Sequence, residues 1–223
     1  MIDYRDKLFL QLAKPYKLQT LKRSHLKTVH RFIQSLYVNH SPFRVVAINS
    51  GFAGNLAGQE FVILNCIGER IKPKNLFYYQ REQHALLLLP KLPKIIPSFF
   101  MLDRRFVPIF TSRWERYSWK QAQPLSSPLD YNLRFYSNQA NCLPYLDMLL
   151  SKHRDVLKQS DSHWVEVNQG YLIVGTSLTL LSNQTHWEHS PKVVEQIDHF
   201  IVDTIHLHEM FNFLPPISAL IQT

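Results

Sequence analysis

A chain of 223 residues, 45% hydrophobic and 19% charged, is long enough to bury about 70% of the surface its unfolded form exposes, and its composition excludes a disordered protein. Its two cysteines, Cys66 and Cys142, lie far apart in no C-x-x-C pair, which excludes a disulfide framework and a zinc ribbon and points to reduced thiols. The net charge of +8 hides a split: residues 1–120 hold 20 Lys+Arg against 7 Asp+Glu, net +13, and residues 121–223 hold 5 against 10, net −5.

The opening residues, Met1 to Lys7, place Asp3 and Asp6 where a secretory signal needs a basic region. No run approaches the roughly 18 consecutive apolar residues of a membrane span. The expected location is therefore cytoplasmic, with any membrane role peripheral, at the inner face. A short helix is expected over Tyr4 to Ala13, closed by Lys14-Pro15, because proline disfavours helix at the residue before it. From Leu18 to Tyr37, Leu18, Leu21, Val29, Phe32, Ile33 and Leu36 fall near one helical stripe, with Lys22, Arg23, Lys27 and Arg31 on the other side. Together these helices predict a basic N-terminal arm over residues 1–40.

Residues 41–123 read as a strand-rich basic section, with β-branched and aromatic runs at Phe43–Ile48, Phe61–Ile67, Leu76–Gln80, His84–Leu89 and Arg105–Phe110. The unalternating Leu86 to Leu89 suits a strand covered on both faces, and Pro90, Pro93 and Pro97 predict a loop after it. Gln123 to Pro128 is the most linker-like stretch. In the acidic section, residues 124–223, a strand is expected near Leu133–Ser137 and a helix over about Leu143–Lys158. A hairpin of His163–Val167 with Tyr171–Val174 should turn around Asn168-Gln169-Gly170. A last helix should start at Ser190-Pro191, a hydrogen-bonding cap followed by a residue that lacks the donor this position leaves idle, and run to about Phe211. The expected fold is α+β, with the N-terminal helical arm, a mixed or antiparallel sheet and two helices of the C-terminal section packed on it. Residues 41–123 and 124–223 are expected to form one compact unit.

Several features occur in a shared order: the leucine strand running into Leu89-Pro90-x-x-Pro93, Arg104-Arg105-Phe106, Leu133-Arg134-Phe135, Trp164-Val165-Glu166-Val167 and Gly170-Tyr171-Leu172-Ile173-Val174. Over roughly residues 30–205 this order resembles uncharacterised bacterial domains of unknown function usually found behind one or two membrane-spanning helices. The resemblance implies a membrane neighbourhood; it implies no activity and no functional residue.

Three constellations bear on chemistry. On the last helix, His199, Asp203 and His206, with Glu195 a turn earlier, lie opposite Val194, Ile197, Ile201 and Ile205. His199 and His206 are seven residues apart, roughly 10 Å, so one zinc would take one of them with Asp203 and a ligand such as His186, His189 or His208. The alternative is a solvated helix face. Cys142, near a helix start, is the nucleophile candidate of a hydrolase, since the positive end of the helix dipole lowers a thiol pKa; the alternative is a small buried residue, as is expected of Cys66. Gly51, Gly54 and Gly58 match no phosphate-binding spacing and read as a hairpin connection. The strip Arg113, Trp114, Arg116 and Trp119, after Arg104 and Arg105, interleaves cations with large rings. It suits a headgroup interface, stacked bases, or a strand edge with its rings turned inward.

The sequence thus predicts a binding or scaffold protein without enzymatic activity and without a cofactor or metal, peripheral to an anionic phospholipid surface or a membrane-bound protein. Lys22, Arg23, Lys27, Arg31, Arg104, Arg105, Arg113, Trp114, Arg116 and Trp119 would make the contact. The alternatives are nucleic-acid binding through the same residues and a cysteine- or metal-dependent hydrolase; homo-oligomers fit the opposed charges of the two halves.

Overall fold

The computed structural model describes residues 16–36, 43–71, 79–92, 96–103, 123–125, 133–137, 164–177 and 191–212. In chain order these form β1 (Gln19–Thr20), α1 (Arg23–Gln34), β2 (Phe43–Leu56), β3 (Gln59–Ile71), β4 (Tyr79–Leu89), β5 (Phe99–Asp103), β6 (Gln123–Leu125), β7 (Leu133–Ser137), β8 (Trp164–Asn168), β9 (Tyr171–Ser177) and α2 (Pro191–Asn212). The described strands make one sheet in the order β1-β2-β3-β4-β9-β8-β5-β7-β6, and every pairing in it is antiparallel.

Two of its hairpins turn on adjacent positive-φ residues, Ala57-Gly58 (φ 51° and 89°) and Gln169-Gly170 (φ 50° and 78°). Such turns match the twist of the strands they join. The second is the hairpin expected around Asn168-Gln169-Gly170. It enters the middle of the sheet, where β9 pairs with β4 and β8 pairs with β5, and so joins the meander β1–β4 to the β5-β7-β6 group.

Because successive side chains point to opposite faces, the sheet carries two cores. Phe61 and Ile63 of β3, Ala85, Leu87 and Leu89 of β4, and Leu172 and Val174 of β9 pack with Ile197, Phe200, Ile201, Ile205 and Phe211 of α2. On the other face Leu64, Cys66, Leu86, Leu88, Ile173, Phe100 and Trp164 pack with Ile33 and Leu36, and with Leu26, Val29 and Phe32 of α1. The leucine run of β4 therefore serves both faces, as its lack of alternation predicts. Each fully buried aliphatic or aromatic side chain contributes about 1.5–3 kcal/mol relative to an exposed one, and the core divides between two helix-on-sheet layers.

The expected fold needs correction at its N-terminal end. Residues 23–34 are not an arm. Ile33 and Leu36 are fully buried, Leu21 donates its backbone N–H to the Gly51 carbonyl at 2.8 Å, and Gln19 and Thr20 pair with Ala53 and Phe52 as an edge strand. An apolar helical stripe has to be covered, and the sheet covers it. The sheet is antiparallel rather than mixed, and the two described helices lie on opposite faces, with α2 alone coming from the C-terminal section. The helices expected over 4–13 and 143–158 and the strand expected over 105–110 lie outside the described residues.

Other boundaries moved as well. Gly51 and Gly54 belong to β2, not to a loop: a Cβ on Gly51 would meet Leu64 and Leu26 at 2.7 and 2.8 Å, and one on Gly54 would meet Phe61 at 2.4 Å. Close packing, not flexibility, favours glycine there, since a Cβ would force these side chains to shift. Gln123–Leu125, read as linker, pairs with β7, and Phe99–Asp103, which the proline loop obscured, forms β5 between β8 and β7.

Candidate functional site: the outer face of α1 and the groove beneath it

From Lys7 to Gln59 the chain contains no aspartate or glutamate, so α1 and its approach are purely cationic. The turns that bury Ile33 leave Arg23, Lys27 and Arg31 exposed, and Lys22, the extended residue that caps the helix N-terminus, is exposed beside them. Arg23, Lys27 and Arg31 are spaced four apart, at 40° steps around the helix and about 6 Å along it. They form one stripe about 12 Å long, comparable to the screening length at physiological salt. Among the described residues none of these cations forms an ion pair. The other basic and aromatic residues predicted for an anionic contact, Arg104, Arg105, Arg113, Trp114, Arg116 and Trp119, lie outside the described residues.

A groove of about 810 Å³ runs between α1 and the sheet at the end where the two hairpins turn. Val29 and Phe32 of α1 line one wall. Ala53 of β2, Val62 of β3, Leu88 of β4 and Tyr171 of β9 line the sheet side. The rings of Phe32 and Tyr171 stand 5.0 Å apart at 51° and join the helix to the start of β9. The small side chain of Ala53 leaves the space open. Polar groups gather at the rim: Lys17, Gln19, Asn55, Glu60 and Gln169. Glu60 is held by Lys91, Nζ to Oε2 at 2.9 Å, and Asn55 Oδ1 accepts the Gly58 N–H at 3.1 Å. Lys17 is exposed and forms no ion pair among the described residues. Its φ of 51° lies in the left-handed region, which is unusual for a residue with a side chain outside a hairpin turn. Nothing in the sequence marked this groove, because its walls come from five separate elements.

Among the described residues the candidates for catalysis or metal binding form no metal-holding cluster. Glu195, His199 and His206 are exposed on α2 and Asp203 is half-buried; His199 lies 3.9 Å from Glu195 with both side chains about two-thirds exposed. No cluster of metal-ligating side chains occurs among the described residues. His208, named as a possible ligand, points the other way: it is buried and its Nε2 lies 2.9 Å from the Pro90 carbonyl, to which it donates as the neutral imidazole. Cys66 is fully buried and burial pushes its thiol up, so it stays protonated. Cys142, His186 and His189 lie outside the described residues. Sequence reasoning also missed the tie between Tyr16 and α2, where the Tyr16 hydroxyl donates to Asp198 Oδ1. Burial, then the bond to Asp198 and its negative charge, push that hydroxyl up and keep it protonated.

Burial holds His208 below the usual imidazole range, against the opposing effects of the Pro90 carbonyl and Glu209. The folded state therefore prefers the neutral form, and the unfolded chain takes up the proton more readily. Stability from this site is present above the unfolded value, about 6.5, and is lost as pH falls from there through the lower folded value. His208→Gln keeps a donor and removes the titration. Urea midpoints measured from about pH 8 to pH 5 should fall more for the wild-type protein than for the variant, and parallel curves would refute the assignment.

No family model matches the chain, and no curated protein matches it. Among solved structures, it is similar to the crystal structure of the mycobacterial trehalose monomycolate transport factor A, TtfA, with a TM-score of 0.44 and 12% identity over 92% of each chain. At that level of likeness nothing passes from one protein to the other. No described helix is long and apolar enough to cross a membrane.

Proposed function

We propose that this chain is a non-enzymatic binding or scaffold protein that rests on an anionic membrane surface, or on a membrane-bound partner at that surface, through the outer face of α1. One observation carries the reading: Arg23, Lys27 and Arg31 stand exposed on α1 away from the stripe that fixes it to the sheet, with Lys22 exposed at its N-cap, in a segment without a carboxylate. With Ile33 and Leu36 buried against the sheet, the outer face of α1 carries no apolar stripe to immerse in lipid. Contact is electrostatic, at about 1 kcal/mol for each cation near an anionic leaflet. Four cations give about 4 kcal/mol, a dissociation constant near 1 mM, so this helix alone binds weakly and reversibly, and further cations or a protein partner tighten the contact.

Co-sedimentation tests it. Vesicles containing phosphatidylserine should carry the protein down at about 50 mM salt and release it at about 500 mM, where the screening length is much shorter, and vesicles of phosphatidylcholine should not bind. Equal binding to both lipids, or none to either, removes the basis for the proposal. Duplex and single-stranded DNA run in parallel decide against it if they bind in preference to the vesicles.

A further inference from the structure

We infer that the groove between α1 and the sheet is a binding site for a single acyl chain carrying an anionic headgroup. This deepens the membrane reading by naming the lipid chemistry, and rests on it only for where the ligand is encountered. The groove, at about 810 Å³, falls within the roughly 300–1,000 Å³ typical of small-ligand sites. Its walls at Val29, Phe32, Ala53, Val62 and Leu88 are apolar, with the hydroxyls of Thr28 and Tyr171 beside them, so they select for length and apolarity more than for a pattern of donors and acceptors. The charged groups sit at the rim. There Glu60 is neutralised by Lys91, which leaves Lys17 as the rim's uncompensated charge among the described residues, with the Lys27 and Arg31 stripe on the adjoining flank of the helix. An alkyl tail between α1 and the sheet with its carboxylate or phosphate at Lys17 satisfies both parts. A neutral or cationic headgroup satisfies only one. The open rim, with Tyr171 36% exposed, gives the tail a way in without unfolding the helix.

The full chain is titrated with a polyene fatty acid whose fluorescence rises on leaving water, and in parallel with the alcohol of the same chain. Saturable one-site binding is expected, at least tenfold tighter for the acid. Lys17→Glu should weaken the acid at least tenfold and leave the alcohol unchanged. Two substitutions fill the groove from different walls: Ala53→Phe from the sheet and Thr28→Trp from the exposed edge of α1. Each should reduce binding at least tenfold in protein that keeps its wild-type circular dichroism and melting curve. Should Ala53→Phe not fold, Thr28→Trp decides alone, since its position is exposed. Absence of wild-type binding, undiminished binding in a folded groove-filled variant, or equal binding of acid and alcohol overturns the inference.

Vesicle binding is scored separately. Lys27→Glu with Arg31→Glu should lose anionic vesicles and still bind the free fatty acid through the apolar walls. A protein that binds the fatty acid but no vesicle keeps the groove and loses the membrane reading; one that binds vesicles but no fatty acid does the reverse.

Discussion

Gly175→Ala should cost the protein about 3 kcal/mol, although glycine in the middle of a strand is ordinarily worse than alanine by about 0.5–1 kcal/mol. The reason is Trp164. The two residues are cross-strand partners of β8 and β9, and the indole occupies the space beside the glycine, so that a Cβ would come within 2.2 Å of its Cε2 and 2.4 Å of Cζ2 and Nε1. Trp164 cannot step aside cheaply, being buried and packed at 6.4 Å against Phe100. Overpacking a core costs about 1–3 kcal/mol, and displacing the indole altogether approaches the roughly 3–5 kcal/mol of a tryptophan truncation. Urea unfolding should show a lower midpoint with an unchanged slope. In a Trp164→Leu background the same glycine substitution should become nearly neutral, because the coupling is between these two side chains. A loss below about 0.5 kcal/mol in the single variant, the range of an ordinary surface change, would mean that the indole does not hold this position. Gly58 provides the contrast: its Cβ would meet nothing within 4 Å, and its φ of 89° alone favours glycine.

Reversing the stripe on α1, with Arg23→Glu, Lys27→Glu and Arg31→Glu together, should weaken binding to phosphatidylserine vesicles by at least about 100-fold. Three attractions of about 1 kcal/mol each are lost, already a factor above 100, and three repulsions are added. The fold should hold. All three side chains are exposed, and the like-charge spacing of four is the same before and after. The first-turn position gains from a carboxylate near the helix N-terminus while the last-turn position loses by a similar amount. A melting curve close to that of the wild-type protein, with vesicle binding abolished, is the expected pair of results. Undiminished vesicle binding would show that the helix does not make the contact. If binding to DNA falls and vesicle binding does not, the cations serve nucleic acid.

Local chemistry made several elements legible. The hairpin at Gln169-Gly170 could be placed because its turn demands positive φ, and α2 because Pro191 opens a periodic run that fills one core from Ile197 to Phe211. The cationic side of α1 could be read for the same reason, since helical spacing is a property of the segment alone. Boundaries failed where a partner strand decided them. Gln19 and Thr20 look helical by composition but pair with β2; Gly51 and Gly54 look like a loop but sit where neighbouring side chains exclude a Cβ. His208 reads as a possible additional zinc ligand by residue type, yet its ring lies against the Pro90 carbonyl, 118 residues away in the chain.

The sequence by itself determined the charge of the α1 segment, the two-sided burial of the β4 leucines and the form of the central hairpin, because periodicity, turn stereochemistry and charge act within a few residues. The tertiary structure alone decided that α1 lies on the sheet instead of standing off as an arm, that the β8–β9 hairpin joins the two parts of the sheet, and that Val29, Phe32, Ala53, Val62, Leu88 and Tyr171 line one groove. Those outcomes depend on which apolar surfaces cover one another, and in an antiparallel sheet whose central strands, β4 and β9, come from distant parts of the chain that choice is made between residues far apart in sequence.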